Sequence, residues 1–385
     1  MQVSSSKLTS RKKQKTNDLD DAVIPHLSAS KDKEIIHKLF SYPAKFQANL
    51  PQSIISKFTK PGDLILDPFS GGGTTSAEAM RQGRNSYAMD LNPISVLASK
   101  AKTTKLSQKD FTELFSLLNS LIKPRTHRFI NEEESLLLGK ELADFTEAIA
   151  KAVQEYKTKK FIPLLATLAI KRIKLATRRD KEHLRKTSFA GHINYVCDEV
   201  EKIATFFASE QMTSLKSTNE VEYGSNHDIP LKANAAKLII TSPPYPGVDI
   251  EYNLIQLQRR DLSRCYRSDL AQRMSELVIS CPYSPSKKEL CNGGVGTSDY
   301  WFNAKKSLLE MNRVLQKGGM CFLYIGFKEV EQRKLYEKIA EQAGFTVEES
   351  YVVELGHERV ASSRGTFHGR ETKMMKTDIL YVLRK

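Results

Sequence analysis

One stretch constrains the fold of this 385-residue chain more than any other. Residues 64–75, LILDPFSGGGTT, lead an apolar run into three consecutive glycines and then into two threonines that open a helix. The run is bounded upstream by the turn Lys60-Pro61-Gly62-Asp63 and reads as a buried strand. One helix length later, NSYAMDLNP at 85–93 reads as the next strand, with Asp90 at its carboxyl end. Strand, glycine loop, helix and strand at this spacing form a βαβ unit, the building block of a parallel sheet.

The rest of the chain extends that unit. Residues 33–40 and a segment ending near Phe58 have helical patterns. KLIITSPPY, 237–245, is another apolar strand, running into a proline-locked turn. A helix over 300–315 leads through Lys317-Gly318-Gly319 into the strand MCFLYIGF, a helix covers 329–343, and two late strands lie near 346–354 and 377–384. Between the two halves, 106–219 is rich in Leu, Lys, Glu and Ala at helical periodicity and holds only two prolines, Pro124 and Pro163. The expected organisation is a flexible basic tail over 1–30, a core domain from 31–105 and 220–385, and a helical insertion at 106–219.

Composition excludes several classes. No apolar run approaches the length of a membrane span, and the charged N-terminus has no apolar stretch behind it, so neither an anchor nor a secretory signal is expected. Cysteines at 197, 265, 281, 291 and 321 are odd in number and form no CxxC pair, and the histidines lack ligand spacing. No metal is expected, and a reducing cytoplasm fits. The formal net charge of +14 favours a polyanionic partner.

Two loops carry chemistry. Glycines permit positive φ and close backbone approach, and the free N–H groups of a helix start favour a carboxylate or phosphate. The loop is also compatible with a plain strand-to-helix turn. Asp90, ending the following strand, stands where an acidic side chain holds ribose hydroxyls; a helix N-cap is the other reading. In TSPPY, 241–245, two prolines present rigid carbonyls beside Ser242. An exocyclic amine is a poor nucleophile because its lone pair is delocalised into the ring. Ser242 Oγ and a backbone carbonyl, that of Pro243, would accept its two protons as the nitrogen becomes tetrahedral. Tyr245 would stack on the base.

These residues together resemble the amino-methyltransferases of DNA, which make N4-methylcytosine and N6-methyladenine. The resemblance rests on Tyr42-Pro43-Ala44-Lys45-Phe46, Pro61-Gly62-Asp63, Asp67-Pro68-Phe69 with Gly71, Gly73, Thr74 and Thr75, Asp90 with Asn92-Pro93, and Thr241 to Tyr245. It covers about 35–105 and 220–385. It implies a Rossmann-like α/β fold with a seven-stranded, mostly parallel sheet and a reversed last hairpin. It further implies that Asp67 and the glycine loop hold the methionine part of S-adenosylmethionine, that Asp90 takes the ribose hydroxyls, and that Tyr42, Pro43, Ala44 and Phe46 line the cofactor pocket. Pro68, Phe69, Asn92 and Asp228 complete the expected cofactor set, Asp228 as the candidate contact to adenine. Ser242, Pro243, Pro244 and Tyr245 are the expected catalytic set.

A serine before PPY is similar to the cytosine-N4 members, so the implied activity is site-specific methylation of cytosine N4 in double-stranded DNA, as in a restriction-modification system with a cognate endonuclease. Adenine N6 or an RNA amino group are the alternatives within the fold, and a nucleic-acid-binding module with a vestigial pocket is the alternative outside it. The Pro-Cys dipeptide of cytosine-C5 enzymes is absent; Cys281-Pro282 has the reverse order. The target would be flipped out of the duplex. Within 151–190 there are twelve Lys/Arg against three Asp/Glu, and a helix over 160–186 would align Lys171, Lys174, Arg178, Lys181 and Arg185 on one face, opposite Leu164, Leu168 and Leu175. That face suits phosphate contact or plain solvation. Arg259 and Arg260, with Arg264 and Arg267, form a second candidate, and a loop bearing His357, Arg359, Arg364 and Arg370 a third.

Overall fold

The apolar strands assemble into one seven-stranded sheet in the computed structural model, which describes residues 13–27, 34–40, 47–122, 139–176, 182–209, 212, 216–246, 298–327, 329–354 and 377–385. In chain order the elements begin with α1 (Lys13–Val23), α2 (Ile35–Lys38) and α3 (Asn49–Phe58), then β1 (Leu64–Asp67), α4 (Thr74–Arg81), β2 (Asn85–Asp90) and α5 (Pro93–Thr103). The described helices that follow are α6 (Gln108–Ile122), α7 (Lys140–Glu155), α8 (Ile162–Ala176), α9 (Glu182–Arg185) and α10 (Phe189–Ala208). The chain returns with β3 (Asn219–Tyr223), β4 (Ala236–Thr241), α11 (Ser298–Val314), β5 (Leu315–Phe327), α12 (Val330–Gln342), β6 (Thr346–Glu354) and β7 (Thr377–Arg384).

The strand order is β3-β2-β1-β4-β5-β7-β6. All neighbours from β3 to β5 are parallel, and β7 runs antiparallel between β5 and β6. This is the expected Rossmann-like sheet with its reversed last hairpin. The chain proceeds outward from β1 to β3, then restarts at β4 on the other side. The reversal lies between β1 and β4, where open parallel sheets bind ligands beyond the strands' carboxyl ends. Asp67, Asp90 and Thr241 end β1, β2 and β4 at that edge.

Side-chain alternation along each strand feeds two cores. Ile65, Leu238, Ile240, Phe322 and Val382 face Leu50, Ile54 and Ile55 of α3 and Leu19 and Val23 of α1. Leu66, Ile239, Leu323, Ile325 and Tyr381 face Leu308 and Met311 of α11 and Tyr336 and Ile339 of α12. A third core is helical. Ile94, Leu97, Ala98 and Ala101 of α5 pack with Leu114 and Leu118 of α6, Phe145 and Ile149 of α7, Leu165 and Leu168 of α8, and Ile193 and Val196 of α10. The inserted helices occupy the crossover from β2 to β3 and share their core with a helix of the βαβ unit.

Four expectations need correction. The tail does not extend to residue 30: α1 is docked by Leu19 and Val23, by an Asp18–Lys57 ion pair of 2.8 Å, and by Tyr351 Oη donating to Asp20 Oδ1 at 2.9 Å. The helix expected over 160–186 is described over Ile162–Ala176 and Glu182–Arg185, and its first part is buried nearly all round instead of along one stripe, because it is the central rod of the helical core. Strand β3 was not anticipated; its sequence NEVEY buries only Val221, as an edge strand can. Strand β5 starts at Leu315 and runs through Gly318-Gly319, with a register shift against β4 instead of a break. Among the described residues, no helix is long and apolar enough to cross a membrane.

A shared core should unfold as one unit. Leu168 is fully buried in it, so Leu168→Ala should cost about 2–5 kcal/mol and move a single denaturant transition followed in parallel by circular dichroism and tryptophan fluorescence. Two separated transitions would contradict the continuous core.

Candidate functional site

The glycine loop is shaped by backbone conformation and by the helix beneath it. Gly71 and Gly73 have φ of +48° and +71°. A Cβ on Gly73 would also lie 2.7 Å from Ser99 Cα, so both conformation and space demand glycine there. Helix α5 starts at an Asn-Pro pair: Asn92 Oδ1 accepts from Ile94 N at 3.0 Å, and Pro93 needs no N–H partner at the first helical position. The helix then presents Ser95, Ser99 and Lys102 at i, i+4 and i+7 toward the loop. Ser95 hydrogen-bonds the Asp90 carboxylate, Ser99 Oγ lies 3.3 Å from Ser70 Oγ and 3.4 Å from the Gly71 carbonyl, and Lys102 Nζ donates to the Gly72 carbonyl. Lys102 is fully buried.

Asp90 is half-buried and tied to the loop. Its Oδ2 accepts from Gly71 N at 2.9 Å and its Oδ1 from Asn92 N at 2.8 Å. Burial raises its pKa to about 6, against the lowering effect of those donors. A carboxylate offers about four acceptor sites, so capacity remains beyond these bonds. Thr74 Oγ1, in the first turn of α4, is buried without a hydrogen-bond partner.

The proline turn lies beside this loop. Thr241, the residue before Ser242, donates its hydroxyl to Asp67 Oδ1 at 2.7 Å, joining the ends of β4 and β1. Phe69 N donates to the same oxygen at 3.3 Å, the Thr75 hydroxyl also bonds the Asp67 carboxylate, and Thr75 Oγ1 lies 3.2 Å from the Ile240 carbonyl. Asp67 is 3% exposed, and its pKa is raised to about 6, chiefly by burial. Its carboxylate therefore faces the neighbouring strand and orders both turns. Tyr300 Oη donates to the Pro244 carbonyl at 2.9 Å and fixes the turn from α11. Ser242, Pro244 and Tyr245 are half-buried and Pro243 is buried.

The remaining expected residues divide clearly. Pro68 is buried and Phe69 half-buried at the loop. Asp228 is exposed and sits in the field of Arg313. In the same loop, Asn226 is buried and accepts from Ser307 Oγ at 2.6 Å, while Gly224 N donates to the Asp90 carbonyl at 3.2 Å. Lys171 is paired with Glu199, and Lys174 lies 6.0 Å from the centre of the Phe40 ring, so neither forms part of a free basic stripe. Tyr42, Pro43, Ala44, Lys45, Phe46, Arg178, Lys181, Arg259, Arg260, Arg264, Arg267 and the 356–373 loop lie outside the described residues, as does the Arg185 side chain. Sequence reasoning gave Thr241 no role beyond its place in the motif and missed Ser99, Lys102 and Tyr300. The polar positions at helical spacing within the otherwise apolar PISVLASKAKT are the signal that would have found two of them.

Residues 1–101 match the N6/N4 methyltransferase family model described as DNA methylase. Among curated proteins, the type II methyltransferase M.BsoBI of Geobacillus stearothermophilus is 33% identical over 162 residues, 39% of this chain and 31% of that protein. The type II methyltransferase M.MvaI of Kocuria varians is 34% identical over 97 residues, 24% of this chain and 21% of that protein. The chain thus spans under a third of the length of the curated relatives it matches. Among solved structures, a geranyl diphosphate methyltransferase in complex with SAM aligns over 94% of this chain and 95% of that chain at 9% identity, with a TM-score of 0.36. The fold assignment stands on the strand order and not on that likeness. Family model, type II relatives and the two linked motifs point the same way: over its first 101 residues the chain is similar to the N6/N4 DNA methylases, enzymes whose methyl donor is S-adenosylmethionine.

Proposed function

We propose that this chain methylates the N4 amino group of a cytosine everted from double-stranded DNA. One observation carries the reading. The buried Thr241–Asp67 hydrogen bond holds the amine-binding turn against the loop expected to hold the methyl donor.

The loop fits S-adenosylmethionine. The first amides of α4 suit a carboxylate, and the unpartnered Thr74 hydroxyl beside them suits the donor's amino-acid end. Asp90 has acceptor capacity for ribose hydroxyls beyond its bonds to Gly71 and Asn92. Asn92 acts at one remove, by capping α5. Asp67 likewise acts by ordering the loop, and Asn226 joins Asp228 as a candidate beside the adenine. Bound here, the cofactor supplies an electrophilic methyl carbon.

The chain's own residues prepare the amine. Ser242 Oγ and the Pro243 carbonyl accept its two N–H groups, which draws the nitrogen lone pair out of conjugation with the ring. The Pro244 carbonyl is already engaged by Tyr300 and serves to stiffen the turn. Tyr245 stacks on the base, contributing roughly 1–3 kcal/mol toward a flipping cost of a few kcal/mol. The serine before PPY favours cytosine over adenine. The net charge of +14 supports a DNA partner, with contacts assigned to the basic segments beyond Lys171 and Lys174. The type II relatives support a restriction-modification setting in the cytoplasm, with an endonuclease of the same specificity as partner.

Plasmid DNA incubated with isotope-labelled S-adenosylmethionine, digested and analysed by nucleoside mass spectrometry, should yield labelled N4-methylcytosine. Ser242→Ala should lower the yield rate about 100-fold while calorimetry shows nearly unchanged cofactor affinity. Labelled N6-methyladenine would overturn the cytosine assignment, and label found only in RNA would overturn the DNA assignment.

The pKa of Asp90, about 6, sets a pH window. Its ionised form is disfavoured by burial, so its contribution to stability is present below about pH 4 and is lost as pH rises through 6. Ribose binding needs the ionised acceptor and has the opposite sense. Cofactor affinity should fall as pH drops from 7.5 to 5, and Asp90→Asn should bind weakly with a flattened profile. A wild-type profile flat across that range would remove Asp90 from the ribose contact.

A further inference from the structure

Gly326 lies inside β5, paired with Asp378 of β7. Its backbone does not require glycine, since it is not among the positive-φ residues. A glycine in a strand interior weakens the strand and marks a close approach. Here the approaching group is Tyr245. A Cβ on Gly326 would lie 2.8 Å from Tyr245 Cε2, 2.9 Å from Cδ2 and 2.6 Å from Asp378 Oδ1. Two of those contacts are with one face or edge of a ring that has no slack, because both atoms belong to the rigid aromatic unit.

The surroundings of the ring are equally fixed. Tyr324, two residues before Gly326 and on the same sheet face, donates Oη to Asp378 Oδ2 at 2.9 Å. Both are buried. From the opposite side, Tyr300 holds the Pro244 carbonyl, one residue before Tyr245. The backbone of the turn is thus fixed from α11 and the ring is seated on β5.

We propose that Gly326 is a positioning residue: the space left by its missing side chain is the seat of the Tyr245 ring, and Asp378, steadied by Tyr324, forms the side of that seat. The seat holds the ring ready to stack on the everted base. This rests on the reading of Tyr245 as the stacking residue. A ring free to swing would have to be ordered at each turnover, and a ring displaced by a methyl group would meet the base at the wrong height.

The test is a cycle of Gly326→Ala and Tyr245→Ala. Gly326→Ala should lower methyl transfer to DNA by about tenfold, leave the calorimetric affinity for S-adenosylmethionine unchanged, and reduce the fluorescence of 2-aminopurine placed at the target position. In the Tyr245→Ala background it should add little. An equal loss in both backgrounds, or full activity of Gly326→Ala, would overturn the proposal. If Gly326→Ala fails to fold, Tyr324→Phe reads the same seat; it should lower turnover a few-fold, and that loss should vanish with Tyr245→Ala. A persistent loss would count against the seat. Should the wild-type protein methylate no DNA, the functional reading fails separately. The seat is then read from the ring resonances of 13C-labelled Tyr245, which must shift in Gly326→Ala and would refute it by staying in place.

Discussion

The hydrogen bond between Thr241 and Asp67 is the contact on which the rest of the site depends. It joins the carboxyl ends of two neighbouring parallel strands that are 174 residues apart in sequence. Burying a carboxylate is costly unless donors surround it. Asp67 receives three, from the Thr241 and Thr75 hydroxyls and from the Phe69 amide. Removing one leaves a buried acceptor unsatisfied, at about 1–3 kcal/mol, and also releases the register between the glycine loop and the proline turn. Two motifs that would each be an ordinary turn are held side by side through this link, which is what the proposed site requires.

Helix α5 performs a second coupling. One of its faces carries Ser95, Ser99 and Lys102 against the Asp90 carboxylate and the glycine loop. Another carries Ile94, Leu97, Ala98 and Ala101 into the core of the inserted helices. The insertion is therefore braced against the element that shapes the loop. Its central helix is largely buried, and its half-buried lysines are engaged internally, by Glu199 and over the Phe40 ring. Local lysine density alone was a poor guide here, because packing around α8 decided which charges stay available.

The legible parts of the sequence were those where local pattern and tertiary placement agree. LILD, NSYAMD and AKLIIT are apolar runs closed by turn chemistry, and they became β1, β2 and β4 within a residue or two. The parallel βαβ unit followed from the spacing of the motifs, and the seven-stranded sheet with its reversed hairpin from the resemblance, whereas the strand order emerged only in the structure. NEVEY escaped notice because an edge strand with one buried side chain lacks an apolar run. Helix α1 escaped because its sequence, KQKTNDLDDAV, is polar except where Leu19 and Val23 dock on α3. Asp67 and Asn92 were expected at the site, but their partners were not predictable from spacing. Asp67 turned to Thr241, and Asn92 to the start of α5. Gly326 carries no signal until a ring from the distant turn is found against it.

A crystal structure with S-adenosylmethionine bound tests the central claim directly, because it needs no knowledge of the target sequence. The account predicts the amino-acid end of the cofactor on the α4 start, its ribose on Asp90, the Thr241–Asp67 bond retained, and the sulfonium methyl pointing into the space in front of Ser242 and Pro243. A methyl directed away from the proline turn, or a wall of protein between it and Ser242, would contradict it.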